Sequence, residues 1–397
     1  MPSDGREAAG GPGQGDAGQP AVDRPGLARH RDLALTFLRL GATAFGGPAA
    51  HIALMQHEFV RRRGWLTAGE FLDLVGAASL IPGPSSTEVA IYVGYRRAGL
   101  AGLALAGTCF ILPAALIVTA IAWAYVRFGT LPAVGGLLRG IEPVVVAVIA
   151  QALWTFGRAA VKSWLLAVIG ASAVALYSLG VNPLILLAAG GAIAAAARAR
   201  HVVLPALAPL PLLATGATAV AGEVSIAKLF LVFLKAGSVV FGSGYVLLAF
   251  LRGDLVERLR WLTESQLVDA VAIGQGTPGP VFTTATFVGY VLHGAAGALA
   301  ATVGIFLPSF VLVAASGPFV PRLRRSAVAG AFLDGVNVAS LALMAAVSVQ
   351  LARAAVVDAP TALIALASLA LLLGFRVNST WLILGGAVVG LLLAASR

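Results

Sequence analysis

An all-α integral membrane protein built from two homologous halves is the fold class this sequence predicts, on three observations. The 397 residues are 59% hydrophobic and only 11% charged, with a mean hydropathy of +0.93, far outside soluble globular usage. Apolar runs of membrane-spanning length follow one another from about Leu33 to the end of the chain. The opening of the second group of runs repeats the opening of the first at a constant shift.

The elements can be taken in order. Residues 1–30 are rich in Gly, Pro, Ala and Asp and lack the basic start and apolar core of a signal peptide, so they read as a disordered tail, and the first spanning segment must direct insertion. Apolar runs at 33–56, 71–94, 100–126, 131–157, 162–180 and 182–197 make an N-terminal repeat over 31–200. Residues 201–224, broken by Pro205, Pro209 and Pro211, read as a linker. Runs at 226–251, 266–292, 296–316, 331–352, 360–375 and 380–395 make a C-terminal repeat over 225–397.

Composition also excludes function classes. An excess of basic over acidic residues, 27 to 17, suits cytoplasmic loops of a membrane protein better than nucleic-acid binding, and no nucleic-acid partner is expected. The lone Cys109 permits no intrachain disulfide, and the five histidines show no metal-ligand spacing, so neither metal nor cofactor is expected. There is no P-loop to couple ATP hydrolysis, and no H-E-x-x-H or G-x-S-x-G motif for an embedded enzyme.

The repeat is specific. Phe37, Leu38, Gly41, Phe45 and Gly46 recur as Phe233, Leu234, Gly237, Phe241 and Gly242; Trp65, Leu66 and Thr67 recur as Trp261, Leu262 and Thr263; Asp73 recurs as Asp269. Pro82, Gly83 and Pro84 recur as Pro278, Gly279 and Pro280, and after one deletion Gly94, Tyr95, Gly99, Gly102 and Pro113 match Gly289, Tyr290, Gly294, Gly297 and Pro308. Thr67 with Glu70, and Thr263 with Gln266, fit the capping box that starts a helix, and the tryptophans before them suit a membrane interface. Each capped helix runs into Pro-Gly-Pro, which must break it, and a second helix starts in the polar residues that follow. If these broken segments are re-entrant hairpins, about ten spanning helices remain, five per half, and the odd number makes the halves inverted repeats; twelve full spans would make them parallel. Inversion collects Arg61–Arg63, Arg96, Arg97, Arg158, Lys162, Arg198, Arg200, Arg322, Arg324, Arg325 and Arg376 on one side, as the positive-inside rule favours.

The strings F-L-R-L-G-A-T-A-F-G-G-P at 37–48, W-L-T at 65–67 and I-P-G-P at 81–84, with a weaker second copy F-L-K-A-G-S-V-V-F-G-S-G at 233–244, resemble the signature of the chromate ion transporter family in its long-chain form with two fused halves. The resemblance covers nearly all of residues 33–395. It implies a multi-pass protein of the prokaryotic cytoplasmic (inner) membrane that exports chromate, confers chromate resistance, and is driven by the proton gradient or by anion exchange, with sulfate as the natural mimic. Lipid is the surrounding partner and a homodimer is compatible with it. The other readings are a transporter of sulfate or another tetrahedral oxyanion, a gated anion channel, and an embedded enzyme, which the missing motifs disfavour. The second copy departs from the first: Gly47 and Pro48 become Ser243 and Gly244, and Glu88 becomes Thr284, so the halves are not expected to be equivalent.

The expected substrate site lies where the two Pro-Gly-Pro breaks approach each other near the bilayer midplane. It comprises Arg39, Gly46, Gly47, Pro82, Gly83, Pro84, Ser85, Ser86, Thr87, Lys235, Gly242, Pro278, Gly279, Pro280, Thr283 and Thr284. Helix starts inside the membrane offer backbone N–H groups and a positive dipole end to an oxyanion, hydroxyls can donate, and Arg39 and Lys235 add charge. Against this, the hydroxyls can cap their own helices, the two basic chains can snorkel, and the glycines can serve helix packing. The coupling candidates are Glu88, Arg139, Glu142, Asp73, Asp334 and Asn337. Their plain alternatives are dipole compensation for Glu88 and Asp73, and mutual neutralisation of Arg139 and Glu142 one turn apart.

Overall fold

The structure is a computed structural model that describes residues 26–45, 47–129, 131–199, 224–240, 247–317, 327–375 and 377–395. The expected tail up to residue 25 and the linker core at 200–223 lie outside the described residues, as do Gly46 and Gly242. The described residues form helices and connecting turns, with no strand among them.

The N-terminal half opens with α1 (Gly26–Thr43) and α2 (Gly47–Gln56), the latter extended by a π-helical turn, His57–Arg62. These helices return upon each other: Arg63 bonds Asp32 at 2.6 Å, and the Phe37 and Phe59 rings lie 5.2 Å apart. The apolar run 33–56, expected as one span, is therefore a hairpin with its tip at Ala44–Gly47. Its sequence is apolar on both arms, so hydropathy shows no boundary, and Gly47, at φ +78, makes the turn.

The second hairpin is α3 (Ala68–Ala78) followed by α4 (Ser85–Phe128). Thr67 caps α3 as expected: Glu70 N donates to Thr67 Oγ1 at 3.2 Å and Thr67 N donates to Glu70 Oε2 at 2.9 Å. Pro-Gly-Pro ends the inward arm, and the first arm of α4 returns until Arg96 donates to Glu70 at 2.9 Å, so both ends sit at one face. Eleven residues of α3 rise about 16 Å, half of an about 30 Å hydrocarbon layer, so the segment is re-entrant. The chain reverses again at Ala98 and Gly99 (φ +59), packing Gly94 against the Gly102 carbonyl, and the second arm of α4 crosses. Next come α5 (Pro132–Ala160), α6 (Trp164–Ser178) and α7 (Pro183–Arg198).

The C-terminal half repeats the plan. It contains α8 (Ile226–Val239), α9 (Leu247–Leu251) with a π-helical turn Arg252–Arg258, α10 (Glu264–Gly276), α11 (Thr284–Ser316) with the same reversal at His293 and Gly294 (φ +58), α12 (Ala327–Ala355), α13 (Ala359–Gly374) and α14 (Ser379–Ala395). Lys235 bonds Asp254 at 2.8 Å across the α8–α9 hairpin, so the run 226–251 is likewise not a single span.

Contacts between the halves are reciprocal. Gly83 N donates to Val240 O at 2.7 Å, and the corresponding Gly279 N donates to Ala44 O at 2.8 Å. A Cβ on Gly140 of α5 would strike the Gly386 carbonyl of α14, and one on Gly335 of α12 would strike the Gly190 carbonyl of α7. Each half thus lays its last two helices on the other. The first arm of α4 runs parallel to the second arm of α11, since Glu88 meets Ser309, Tyr92 meets Ser316 and Tyr95 meets Gly317. The two crossing arms are therefore antiparallel, and a two-fold relating them lies across the helices, in the membrane plane. The repeats are inverted, as expected, but not by the odd count of five spans that suggested it, because the first run of each half is a hairpin and no longer counts as a span; α7 accordingly ends at the face opposite the one where α8 begins.

Among the described residues four helices, Ser85–Phe128, Ala133–Ala160, Val281–Ser316 and Ala327–Ala355, are long and apolar enough to cross a membrane, and α6, α7, α13 and α14 are shorter apolar helices. Large side chains such as Leu116, Trp154, Leu363 and Leu392 are exposed on the outside, the surface a bilayer would cover.

Candidate functional site

The two Pro-Gly-Pro tips and the two hairpin tips converge at the centre through the exchanged Gly83 and Gly279 bonds. Both glycines need positive φ, +138 and +92, and neither has room for a side chain: a Cβ on Gly83 would run into Glu88 Oε1 and Ser309 Oγ, and one on Gly279 into Ala114 and the Gly41 carbonyl. Pro82, Gly83, Pro84, Pro278, Gly279 and Pro280 are thus brought together as expected.

Around them the halves differ. On the N-terminal side His51, Ser86, Thr87, Glu88 and Ser309 are all buried. His51 Nε2 bonds Ala44 O at 3.1 Å and Nδ1 faces Ser86 Oγ at 3.3 Å. With the Ala44 carbonyl as acceptor, Nε2 carries the proton, and Ser86 donates to Nδ1. Ser309 Oγ donates to Glu88 Oε1 at 3.3 Å, while Glu88 Oε2 and Thr87 Oγ1 are buried with no partner. On the C-terminal side Thr283 Oγ1 donates to Pro280 O and Thr284 Oγ1 to Val281 O, both at 2.8 Å. These two hydroxyls cap their own helix, and the positions matching His51, Ser86 and Ser309 hold Leu247, Phe282 and Ala114. The polar centre is one-sided.

The remaining expected residues lie elsewhere. Gly47 turns the first hairpin, and Ser85 opens α4. Arg39 is exposed near the end of α1, at about the depth of the tip but on the outward face. Lys235 is held by Asp254 and lines a cavity of about 600 Å³ with Arg258, Gln350 and Arg353. Asp73 is exposed, and Asn337 is half-buried on α12. Asp334 pairs with Lys162 at 2.8 Å at the face that carries Arg63, Arg96 and Arg97. Arg139 and Glu142 do not neutralise each other as the main arrangement: Arg139 bonds Asp358, and Glu142 meets Asp269. Asp358 caps α13, where the Thr361 N–H and hydroxyl hold its carboxyl down to about 2.

His51 and Ser309 were not picked out by sequence reasoning. Both could have been found by asking where the repeat places a polar residue against an apolar one. Among the described residues no group of three or more His, Cys, Asp or Glu side chains could hold a metal ion.

A family model for chromate transporters matches the chain twice, over residues 31–195 and 227–391. The chain is similar to the chromate transport protein of Cupriavidus metallidurans, 34% identical over 372 residues covering 91% of this chain and 92% of that protein. It is also similar to the chromate transport protein of Pseudomonas aeruginosa, 34% identical over 85% of this chain and 84% of that protein. The uncharacterized transporter YwrA of Bacillus subtilis is 29% identical over 40% of this chain and 90% of its own length. No solved structure matches the chain.

Proposed function

The chain belongs to the chromate transporter family, a family of transport proteins and not of enzymes, and from that premise we propose that it carries chromate across the membrane through the joined tips. The observation that supports this reading is the buried, one-sided polar centre at the crossed Gly83–Val240 and Gly279–Ala44 bonds, with Thr87 Oγ1 unpartnered beside the start of α4. A helix start and hydroxyls suit a tetrahedral oxyanion, which needs donors on several sides. Sulfate offers the same charge and shape and should compete.

Under the positive-inside rule the face carrying Arg61–Arg63, Arg96, Arg97, Arg158, Lys162 and Arg198 reads as the cytoplasmic one, so the cavity lined by Lys235 and Arg353 opens outward, and a prokaryotic inner membrane fits this reading. Glu88 sits beside the site. Ionised, it repels an oxyanion, and protonated, it can donate to one, so anion occupancy and a proton are linked there. That positive linkage would carry proton and anion in the same direction, so it supports proton-coupled chromate movement, while export and resistance rest on the family resemblance alone.

The test is flux of labelled chromate and sulfate in everted vesicles, with and without an imposed proton gradient. Accumulation that needs the gradient and is inhibited by sulfate supports the reading. Downhill leakage alone would indicate a channel.

A further inference from the structure

Glu142 on α5 and Asp269 on α10 come from different halves and meet away from the tips, with their carboxyl groups in hydrogen-bonding contact. Tyr125 of α4 donates to Asp269 Oδ2 at 2.7 Å. Asp269 is only 3% exposed, and its Oδ1 is buried without a donor. Two carboxylates have acceptors only, so they can bond each other solely through a proton, and two ionised ones in an apolar interior repel.

Among the described residues the positive charge that acts on the pair is that of Arg139, and it is shared with another acid. Arg139, one turn before Glu142, is bonded to Asp358 at the start of α13. From α12, Asp334 is paired with Lys162 at the cytoplasmic end and Arg353 lines the outer cavity. From α11, Tyr290 and His293 lie at the bend, Glu264 at the start of α10 is paired with Arg252, and Ser379–Ala395 of α14 holds no titratable residue. The repeat does not reproduce the arrangement: Glu142 corresponds to Asn337, whose carboxamide has a fixed donor and no charge to exchange, and Asp269 corresponds to the exposed Asp73.

We propose that Glu142, Asp269 and Tyr125 form a single-proton site, the station through which protons pass from the outer face towards the tips. Asp269 lies six residues beyond the Thr263 cap, roughly 9 Å along α10, between the outer water and the Pro-Gly-Pro break at its far end. The proton arrives from outer water, is shared between the two carboxyl groups while Tyr125 holds Asp269 in place, and leaves inward; only O–H bonds form and break. A site that bridges the halves also ties its protonation to their relative position. This rests on the proton-coupled reading given above.

The experiment uses the full chain in liposomes, with a pH-sensitive dye inside and chromate gradients imposed. Glu142→Gln and Asp269→Asn should each lower chromate-driven proton movement by ~10-fold or more, with chromate–sulfate exchange at equal pH kept within ~2-fold. Tyr125→Phe, which preserves volume, should move the pH midpoint of coupled flux and leave exchange intact. Folded variants with wild-type proton movement would overturn the placement, as would loss of exchange together with proton movement in both carboxyl variants. Wild-type protein that exchanges anions with no proton movement would instead overturn the coupled reading on which the placement depends.

Discussion

Thr87, Thr283 and Thr284 look alike in the sequence and differ in what their hydroxyls do. Thr283 and Thr284 spend theirs on the carbonyls of Pro280 and Val281, and Thr87 keeps its own buried and unpartnered. A hydrogen bond to a charged ligand is worth about 1.5–3 kcal/mol, so Thr87→Val should weaken chromate affinity by ~10-fold or more, while Thr283→Val should leave it within ~2-fold. Binding measured on detergent-purified protein checks both. Glu88→Gln is expected to flatten the pH dependence of flux and leave anion binding largely intact, and a wild-type pH profile would remove Glu88 from coupling. At this scale the sequence was readable in residue type and depth but not in direction. Arg39 sits near tip depth, yet the hairpin turns its face outward, and no spacing rule could say so before the fold of α1 on α2 was known. Glu142 was legible as an acid within an apolar run, but its partner Asp269 lies in the other half, where only the tertiary structure brings them together.

The Pro-Gly-Pro breaks and the capping boxes were plain in sequence because each rests on local chemistry: a missing N–H, a restricted residue before proline, a Thr with Glu or Gln three positions on. The α1–α2 and α8–α9 hairpins were not, because hydropathy does not change sign at a turn buried in an apolar layer. Gly83 and Gly99 separate two jobs that glycine does here. Both have positive φ, but a Cβ on Gly99 meets open space, while one on Gly83 meets Glu88 and Ser309. Gly99→Ala should therefore cost only the backbone strain of a region essentially reserved for glycine (φ +59, ψ −148), about 1–3 kcal/mol, and retain transport. Gly83→Ala should abolish transport in protein that still inserts, because the collision is with the polar centre itself. Thermal melting and chromate flux on the same preparations would distinguish these outcomes, and equal loss in both variants would mean the reversal at Gly99 is as critical as the tip.

Inverted repeats that exchange their last helices explain why so many close approaches in this molecule lie between the halves. The backbones of α5 and α14 touch at Gly140 and Gly386, and those of α7 and α12 at Gly190 and Gly335, where no larger side chain fits. In this arrangement the centre cannot be built by one half, since each tip is closed by a carbonyl at the end of the other half's first helix. The geometry also fixes sidedness in a way composition could only suggest. Arg62 and Arg258 occupy corresponding positions, each four residues after the acid it pairs with, Glu58 or Asp254, and the two-fold puts them at opposite faces. Arg198 closes α7 at the same face as Arg62. Single cysteines placed by Arg62→Cys, Arg198→Cys and Arg258→Cys, each in a Cys109→Ser background, should therefore label with an impermeant maleimide from two different sides: the first two from inside in right-side-out cells, the third from outside. Labelling of Arg62→Cys and Arg258→Cys from one side would make the repeats parallel. The antiparallel pairing of α4 with α11 could then not run along the membrane normal, and the joined tips would no longer sit midway between two aqueous phases.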